Sequence, residues 1–419
     1  MNQRTRSFGA TAGDGRDPAD RASIRRNNLG MILRYLRDQG ARSRTVLAQE
    51  TGLPKATISS FIAELAELGL VREGDFERDA RSVGRPRQSV ELDGRGVCGV
   101  GVEIDADHVS VIAIDLRGRD LFERRVPVDV LGLGAEGALD AVAALLREVL
   151  AALASRNVRA VGITVAMPGS TDAATGSSLV SANLGWHDVG ITTGLRARLG
   201  GQAPPLGIGN DARLGGIAEY LAISHTGVRN LLYITGDIGI GGGIMADGLE
   251  LLGHNGNAGE IGHMPMNPEP VACACGRRGC WETMVGLGVL LSRAADPDDP
   301  VHDPRTDREQ RLAEIRRRAR QGDARTLEAL ERTAADLGRG VALLVDVLSP
   351  QTVVLGGYFA YLGEFLLEPV QHTVDERVLY PGAGGSTVGL AVHGFTSALR
   401  GGALFALEAV FQDPGGRAS

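Results

Sequence analysis

The chain has 419 residues, 43% hydrophobic and 23% charged, which is typical of a soluble globular protein of two or three domains. No apolar run reaches the roughly 18 residues of a membrane span, and the arginine-rich N-terminus lacks the apolar centre of a signal peptide, so we predict a cytoplasmic protein without membrane insertion. The net charge of −7 is unevenly distributed along the chain. Residues 1–95 hold 17 Lys and Arg against 13 Asp and Glu, whereas the remaining residues hold 27 against 38. This distribution favours a nucleic-acid-binding segment before an acidic body.

The N-terminal part begins with an irregular segment and continues with three helices. Residues 1–22 mix arginine, aspartate and small residues without apolar periodicity, which predicts a disordered tail. Apolar residues then recur at helical spacing, with glycine stops, over 23–40, 43–52 and 55–69. A short helix, a glycine-containing turn and a longer helix are the pattern of a helix-turn-helix, whose last helix enters the major groove of DNA.

The start of the third helix carries the candidate base-contacting residues. These are the polar side chains that face away from the predicted core, namely Lys55, Thr57, Ser59 and Ser60. Lys55 is the only lysine in the protein. Small three-helix domains also serve as protein-interaction modules, and Ser and Thr near a helix start are often only caps, so both alternatives stay open.

A wing follows the three helices. The run Ser82-Val83-Gly84-Arg85-Pro86-Arg87 leads into alternating residues 89–92, which predicts a hairpin. Arg85 would lie on an extended backbone, a shape that fits a narrow minor groove. We therefore predict a winged helix-turn-helix over residues 23–95 that binds double-stranded operator DNA.

The body that begins near residue 97 alternates strands and helices. Segments 97–104, 109–115 and 158–166 are rich in β-branched residues, and a helical run at 136–154 lies between the last two, which indicates an α/β domain. Further helices are predicted at 311–320, 326–348 and 397–411, and a strand at 386–393. The helix at 326–348 is interpreted as a core or dimer-forming helix, and residues 295–308 as a loop.

A dense group of metal-ligating side chains lies late in the chain. His263 precedes three cysteines that fall within eight residues, Cys273, Cys275 and Cys280. One imidazole and three thiolates form the closed tetrahedral shell of a structural Zn²⁺ site, which leaves no open position for substrate. A set of buried thiols is the alternative, and a disulfide is disfavoured by the cytosolic character of the chain.

The same segment carries a family resemblance. The motif G-E-I-G-H at 259–263, followed by C-x-C-G-x-x-G-C-x-E at 273–282, resembles the signature of the ROK family of bacterial sugar kinases and sugar-responsive repressors. The resemblance covers about residues 24–410, and the N-terminal part is similar to the DNA-binding head of ROK repressors. It implies a two-lobed actin-like ATPase fold (ribonuclease H-like) over residues 96–412, with 413–419 as a tail.

The resemblance also implies that the phosphate-binding loops are disabled. Where ROK kinases have D-I-G-G-T-K, residues 103–108 place Asp105 and Asp107 at a glycine and the threonine position. In the glycine-rich loop 235–243, Asp237 and Ile238 depart from the kinase pattern, and Ile238 stands at the hydroxyl position. The added carboxylates would repel phosphate oxygens. The glycines of loop 235–243 have an alternative interpretation, in which they bind no nucleotide and only let a strand and a helix approach closely.

The sugar side of the family pattern is intact. In the family pattern, a set of polar residues binds the hydroxyls of the sugar. The residues that match this set or lie beside it are Asn183, Asn210, Asp211, Glu260, His263 and Glu282. Asp211 matches the kinase base, and we expect it only to bind sugar here, so no catalytic residue is predicted. His263 belongs to both sets, because one ring nitrogen can ligate zinc while the other donates to a sugar hydroxyl. Ordinary capping and loop polarity are the alternative for these residues.

The sequence therefore predicts a transcriptional regulator of carbohydrate genes, acting as a repressor that a sugar or sugar phosphate releases. We expect a homodimer or tetramer, because two heads can read a two-part operator. Two rivals stay open: an active ATP-dependent sugar kinase with a DNA-binding head, and a regulator whose main input is a partner such as a sugar-transport protein.

Overall fold

A computed structural model describes residues 21–77, 87–201, 203–254, 256–303, 306–380 and 385–418. An N-terminal head of helices precedes a body of two lobes, and each lobe is built on a five-stranded sheet. This arrangement confirms the predicted fold class, a winged helix-turn-helix followed by a two-lobed α/β body. Within the described ranges, no helix combines the length and apolarity that crossing a membrane requires.

The head consists of three helices and a small antiparallel sheet, with the elements α1 (Arg21–Gln39), β1 (Arg42–Ser43), α2 (Arg44–Thr51), α3 (Lys55–Glu67), β2 (Val71–Glu77) and β3 (Arg87–Leu92). Ser43 begins α2 by accepting a hydrogen bond from the Val46 amide. Gly52 ends that helix at φ 72°, a left-handed conformation that glycine adopts without a Cβ clash. β2 and β3 pair antiparallel and form the predicted wing. Arg85, the predicted minor-groove residue, lies outside the described residues, as does most of the predicted tail.

The first lobe begins at the strand predicted from residue 97. Its elements are β4 (Val97–Ile104), β5 (His108–Asp115), β6 (Asp120–Pro127), α4 (Val130–Ser155), β7 (Arg159–Met167), β8 (Ser170–Asp172), β9 (Ser177–Ser181), β10 (Trp186–Gly190), α5 (Ile191–Leu199), β11 (Leu206–Asn210) and α6 (Asp211–Ile223). The large sheet has the order β11-β7-β4-β5-β6, and β4, β7 and β11 run parallel. Their carboxyl ends therefore meet at one edge, where ligands bind in open α/β sheets.

The second lobe repeats this organisation around a sheet of order β14-β13-β12-β15-β16. Its elements are β12 (Leu231–Gly236), β13 (Ile240–Ala246), β14 (Leu249–Glu250), α7 (Glu282–Val285), α8 (Leu287–Ala294), α9 (Arg308–Arg320), α10 (Ala324–Leu348), β15 (Thr352–Gly357), α11 (Tyr358–Tyr361), α12 (Gly363–Arg377), β16 (Thr387–Leu390), α13 (Ser397–Gln412) and α14 (Pro414–Ala418). The predicted loop at 295–308 ends at α9 and contains a short 3-10 helix, Pro300–His302. A five-residue helix, α14, stands where we expected a tail.

Helix α13 packs directly on the first lobe. A Cβ on Gly101 of β4 would lie 2.0 Å from the Leu399 carbonyl oxygen, and one on Gly401 of α13 would lie 1.9 Å from the Leu214 carbonyl oxygen of α6. Only glycine allows helix and strand, or two helices, to approach this closely. The same helix, α13, also contacts α1 of the head.

Candidate functional site

A cleft between the two lobes collects the side chains that the family pattern assigns to sugar binding. The residues that line this cleft include all six of them, Asn183, Asn210, Asp211, Glu260, His263 and Glu282. They lie up to 99 residues apart in the chain, from Asn183 to Glu282, and they come from both lobes. Tertiary folding therefore brings them together, and their role as sugar ligands stays a prediction.

Asn210 and Asp211 stand at the junction of β11 and α6. The Asn210 side-chain oxygen caps α6 by accepting from the Arg213 amide at 3.0 Å, and its side-chain nitrogen donates to the Gly169 carbonyl oxygen at 3.1 Å. Asn210 therefore shapes the cleft wall. Burial raises the pKa of Asp211 to about 7. The hydrogen bond from the Ala212 amide lowers this pKa, and nearby carboxylates raise it. Near neutral pH this carboxyl can both donate and accept hydrogen bonds.

His263 joins the cleft to the cysteine cluster. Its Nδ1 lies 3.7 Å from Cys273 Sγ, and its Nε2 lies 3.9 Å from a Glu260 carboxylate oxygen. The ring therefore has one nitrogen toward the thiols and the other toward Glu260. Glu282 borders both places too, because it lines the cleft and its Oε1 lies 2.7 Å from Cys273 Sγ.

The cysteine cluster has the dimensions of a four-ligand metal site. The donor atoms of His263, Cys273, Cys275 and Cys280 all lie within 4.8 Å of one another. The Sγ atoms of Cys273 and Cys275 are 3.2 Å apart, and those of Cys275 and Cys280 are 3.7 Å apart. Tetrahedral zinc with sulfur ligands would separate them by about 3.8 Å. The donor set and its spacing therefore fit zinc.

The two altered loops meet at one arginine that the sequence analysis missed. Arg308 begins α9 on the second lobe, and its Nη1 lies 3.3 Å from Asp105 Oδ2 at the β4–β5 turn of the first lobe. The same guanidinium contacts Asp237 in the glycine-rich loop. The chain separates Arg308 from Asp105 by 203 residues, so no local signal pointed to the pair.

A histidine completes the altered loop of the first lobe. His108 Nδ1 lies 2.5 Å from Asp107 Oδ1, and its Nε2 lies 3.8 Å from Glu103 Oε2. Burial alone would lower the pKa of His108, but the hydrogen bonds with Asp107 and Glu103 outweigh it and raise the pKa to about 9. The Asp107 pKa falls to about 2, chiefly through its hydrogen bond to His108. The turn is therefore closed by its own ion pairs.

The predicted base-contacting residues occupy the first two turns of α3. Lys55, Ser59 and Ser60 are exposed, whereas Thr57 is half-buried. The Ser59 hydroxyl donates to the Lys55 carbonyl oxygen at 3.0 Å, so it already has a partner within the helix. The opposite face of α3 buries Ile58, Ile62 and Leu65 in the head's core.

The head and body share a core. Leu407, Val410 and Phe411 of α13 belong to the same apolar cluster as the buried residues of the head. Beside this cluster, the buried Glu408 accepts a hydrogen bond from Arg34 Nε at 3.1 Å, and Arg37 Nη1 lies 3.4 Å from its other oxygen. The head is thus bonded to the last long helix of the body.

Comparison with known proteins assigns the body. The model of the ROK family matches residues 99–409. The chain belongs to the ROK family. An IclR helix-turn-helix domain model matches residues 28–75, which covers most of α1 and all of α2 and α3.

Relatives of this ROK chain include named repressors. It is 28% identical over 361 residues to a putative xylose repressor of Caldicellulosiruptor sp. (strain Rt8B.4), covering 85% of this chain and 89% of that protein. It is 24% identical over 367 residues to the DNA-binding transcriptional dual regulator NagC of Escherichia coli K12, and the match covers 85% of this chain and 86% of that protein.

Solved structures agree with the two-part fold. A ROK family transcriptional regulator described as a homologue of the E. coli MLC protein superposes with a TM-score of 0.73 at 22% identity, covering 93% of this chain and 97% of that one. A ROK glucokinase of Streptomyces griseus, in complex with glucose and AMPPNP, gives a TM-score of 0.62 at 25% identity. This match covers 74% of this chain and 99% of the kinase. The regulator match extends over nearly the whole chain, whereas the kinase match leaves about a quarter of it uncovered.

Proposed function

We propose that this ROK protein is a transcriptional repressor of carbohydrate genes, which binds operator DNA through its head and is released by a sugar or sugar phosphate in the cleft. The observation that carries the proposal is the shared core of α1 and α13. A DNA-binding head that packs on the sugar-binding body can sense changes in that body. The named repressors among the relatives support the same function.

The proposed route from sugar to DNA runs through two packed helices. Asp211 stands at the N-terminus of α6 in the cleft, and further along α6 the carboxylate of Glu219 accepts from the Ser397 hydroxyl at 2.7 Å and the His393 amide at 3.0 Å. These bonds tie α6 to the start of α13, whose far end contacts α1. A sugar that binds one arrangement of the lobes better than another would shift α13 and the head with it.

We also propose that the cysteine cluster holds structural zinc. His263 would ligate through Nδ1, together with the thiolates of Cys273, Cys275 and Cys280. A bound ion would fix the loop and hold the His263 ring so that Nε2 and Glu260 meet the sugar. Because the shell is filled by four protein ligands, the ion would supply rigidity and no catalysis.

For DNA binding, we propose that Lys55, Thr57, Ser59 and Ser60 meet the major groove and that Arg85 of the wing reaches the minor groove. Their position at the start of α3 supports this assignment, since the N-terminal residues of a recognition helix contact base edges. A homodimer or tetramer would present two such heads to a two-part operator.

An ATP-dependent sugar kinase is the second candidate, and one observation favours it. Asp211 lines the cleft at the position of the kinase base, and its raised pKa suits proton transfer near neutral pH. The phosphate loops oppose it, because Asp105 and Asp237 bring negative charge where triphosphate would lie. We therefore rank the repressor first.

One experiment separates these functions. The full-length protein is used to select duplexes from a random DNA pool, and the selected sequence is then titrated with unmodified sugars and sugar phosphates in a fluorescence anisotropy assay. We expect a two-part sequence whose binding weakens with at least one sugar. Failure to select any sequence, together with phosphoryl transfer from ATP to a hexose, would replace the repressor by the kinase.

A further inference from the structure

We infer that the effector is an unphosphorylated sugar, because Arg308, a basic side chain that lines the cleft, is already neutralised there by two aspartates. This inference rests on the proposed function and specifies the ligand of the same cleft. The sequence alone left sugar and sugar phosphate equally open.

Arg308 is held in this position from several directions. Its side chain is only 9% exposed, and its guanidinium carbon lies 4.4 Å from the centre of the Phe395 ring. Its Nη1 contacts both Asp105 and Asp237. These two aspartates stand at positions that depart from the kinase pattern, and they leave the charge of Arg308 already paired within the cleft.

The charges around Arg308 disfavour a phosphate group. One guanidinium with two carboxylates leaves a net negative group. Glu260 and Glu282 line the same cleft, together with Glu103, which pairs with His108, and Asp211, which burial leaves partly protonated near pH 7. Among the described lining residues, the basic side chains are Arg308 and His263. A phosphate ester carries between one and two negative charges at neutral pH, and it would be repelled by this surplus.

The unmet hydrogen bonds of the cleft point to hydroxyls. Asp237 Oδ1 and Arg308 Nε are buried without a hydrogen-bond partner in the described part of the chain. One is an acceptor and the other a donor, and buried polar atoms of this kind are usually satisfied. Both atoms are shielded from solvent in this arrangement, so a ligand would reach them only after a side-chain movement. A sugar hydroxyl placed there would donate to Asp237, whereas a phosphate dianion offers no donor.

The first test compares matched pairs of ligands on the full-length protein. Isothermal titration is run with D-xylose, D-glucose and N-acetylglucosamine, and with the phosphate ester of each. We expect at least one sugar to bind and its phosphate ester to bind at least tenfold more weakly. An ester that binds as tightly as its parent sugar overturns the inference while leaving the repressor function standing. Binding of no sugar in either form overturns both.

The second test removes the neutralising charges and keeps the arginine. The double variant Asp105→Asn with Asp237→Asn should gain at least tenfold in affinity for the phosphate ester of the bound sugar, and adding Arg308→Gln should abolish the gain. Glu331→Gln, an exposed carboxylate of α10 that does not line the cleft, is the control and should change nothing. An unchanged ester affinity in a folded double variant overturns the inference. If the double variant does not fold, we expect the single Asp105→Asn variant to show a smaller gain in affinity for the phosphate ester. A folded single variant without any gain also overturns the inference.

Discussion

Arg34 on α1 donates from Nε to the carboxylate of Glu408 on α13 at 3.1 Å, across 374 residues of chain. The pair joins the DNA-binding head to the helix that packs against α6 of the sugar-binding body. Its carboxylate is buried beside the apolar contacts of Leu407, Val410 and Phe411. In the function we propose, this junction is the route by which a ligand in the cleft influences DNA binding.

Replacing Glu408 should weaken both stability and control. Glu408→Ala leaves Arg34 and Arg37 without their buried partner, and we expect the free energy of unfolding to fall by about 3 kcal/mol. The ratio of DNA affinities without and with sugar should also fall toward one. Denaturant unfolding and DNA titration measure the two effects. Glu328→Ala, which removes an exposed carboxylate paired with Arg332 on α10, is the control and should leave both quantities unchanged.

Replacing Glu260 should abolish the response to sugar and spare DNA binding. The Glu260→Ala variant removes a carboxylate that lines the cleft beside His263 Nε2, and it leaves the head untouched. We expect operator affinity of the wild-type value and no release by the sugar. Glu269→Ala, an exposed carboxylate outside the lining of the cleft, should respond normally. Normal release in Glu260→Ala would remove this residue from the sugar site.

Stability should depend on pH through His108. Its pKa is raised from 6.5 to about 9, so the folded protein binds this proton more tightly than the unfolded chain does. The resulting stabilisation is complete below about pH 6.5 and is lost as pH rises toward 9, at up to about 1.4 kcal/mol per pH unit. Urea unfolding at pH 6, 7, 8 and 9 measures this slope.

The matched variant for that slope is His108→Gln. It keeps a polar side chain beside Asp107, Glu103 and Asp105 and cannot gain a proton. We expect the decline in unfolding free energy between pH 6.5 and 9 to become shallower in the variant. Parallel curves for the two proteins would show that His108 is not the group responsible.

Zinc should stabilise the loop and the sugar site together. We expect about one zinc ion per chain by elemental analysis, as a four-ligand structural site requires. Cys275→Ser should lose the ion, lower the melting temperature and weaken sugar binding, because the cluster positions His263. Cys98→Ala removes the buried thiol of β4, which lies outside the cluster, and should keep the zinc. Full zinc content in Cys275→Ser would contradict the proposed ligand set.

The head should depend on Lys55 in a salt-sensitive way. Lys55→Ala removes an exposed cation at the start of α3, and if it contacts a phosphate of DNA, the slope of log affinity against log salt should decrease by about one. Fluorescence anisotropy between 50 and 200 mM salt measures this. Arg332→Ala on the exposed face of α10 is the control. An operator affinity that is unchanged at every salt concentration in Lys55→Ala would place the DNA contact elsewhere on the head.

Several features could be predicted because their signals are local. The cysteine cluster is recognisable from one segment of 18 residues, His263 to Cys280, whose spacing alone suits a four-ligand site. The bounds of α2 and α3 follow from apolar periodicity and from glycines such as Gly52. Strand β6 was missed because it is an edge strand with a mostly exposed, charged face, so it lacks the apolar signal of β4 and β5.

The sequence by itself determined the helix-turn-helix, the α/β class of the body and the set of candidate zinc ligands, since each depends on residues close together in the chain. Only the tertiary structure decided that Arg308 pairs with Asp105 and Asp237, and that Glu408 bonds the body to the head. Charge pairing depends on which side chains are buried side by side. Partners 203 and 374 residues apart become neighbours only when the lobes and the head have packed.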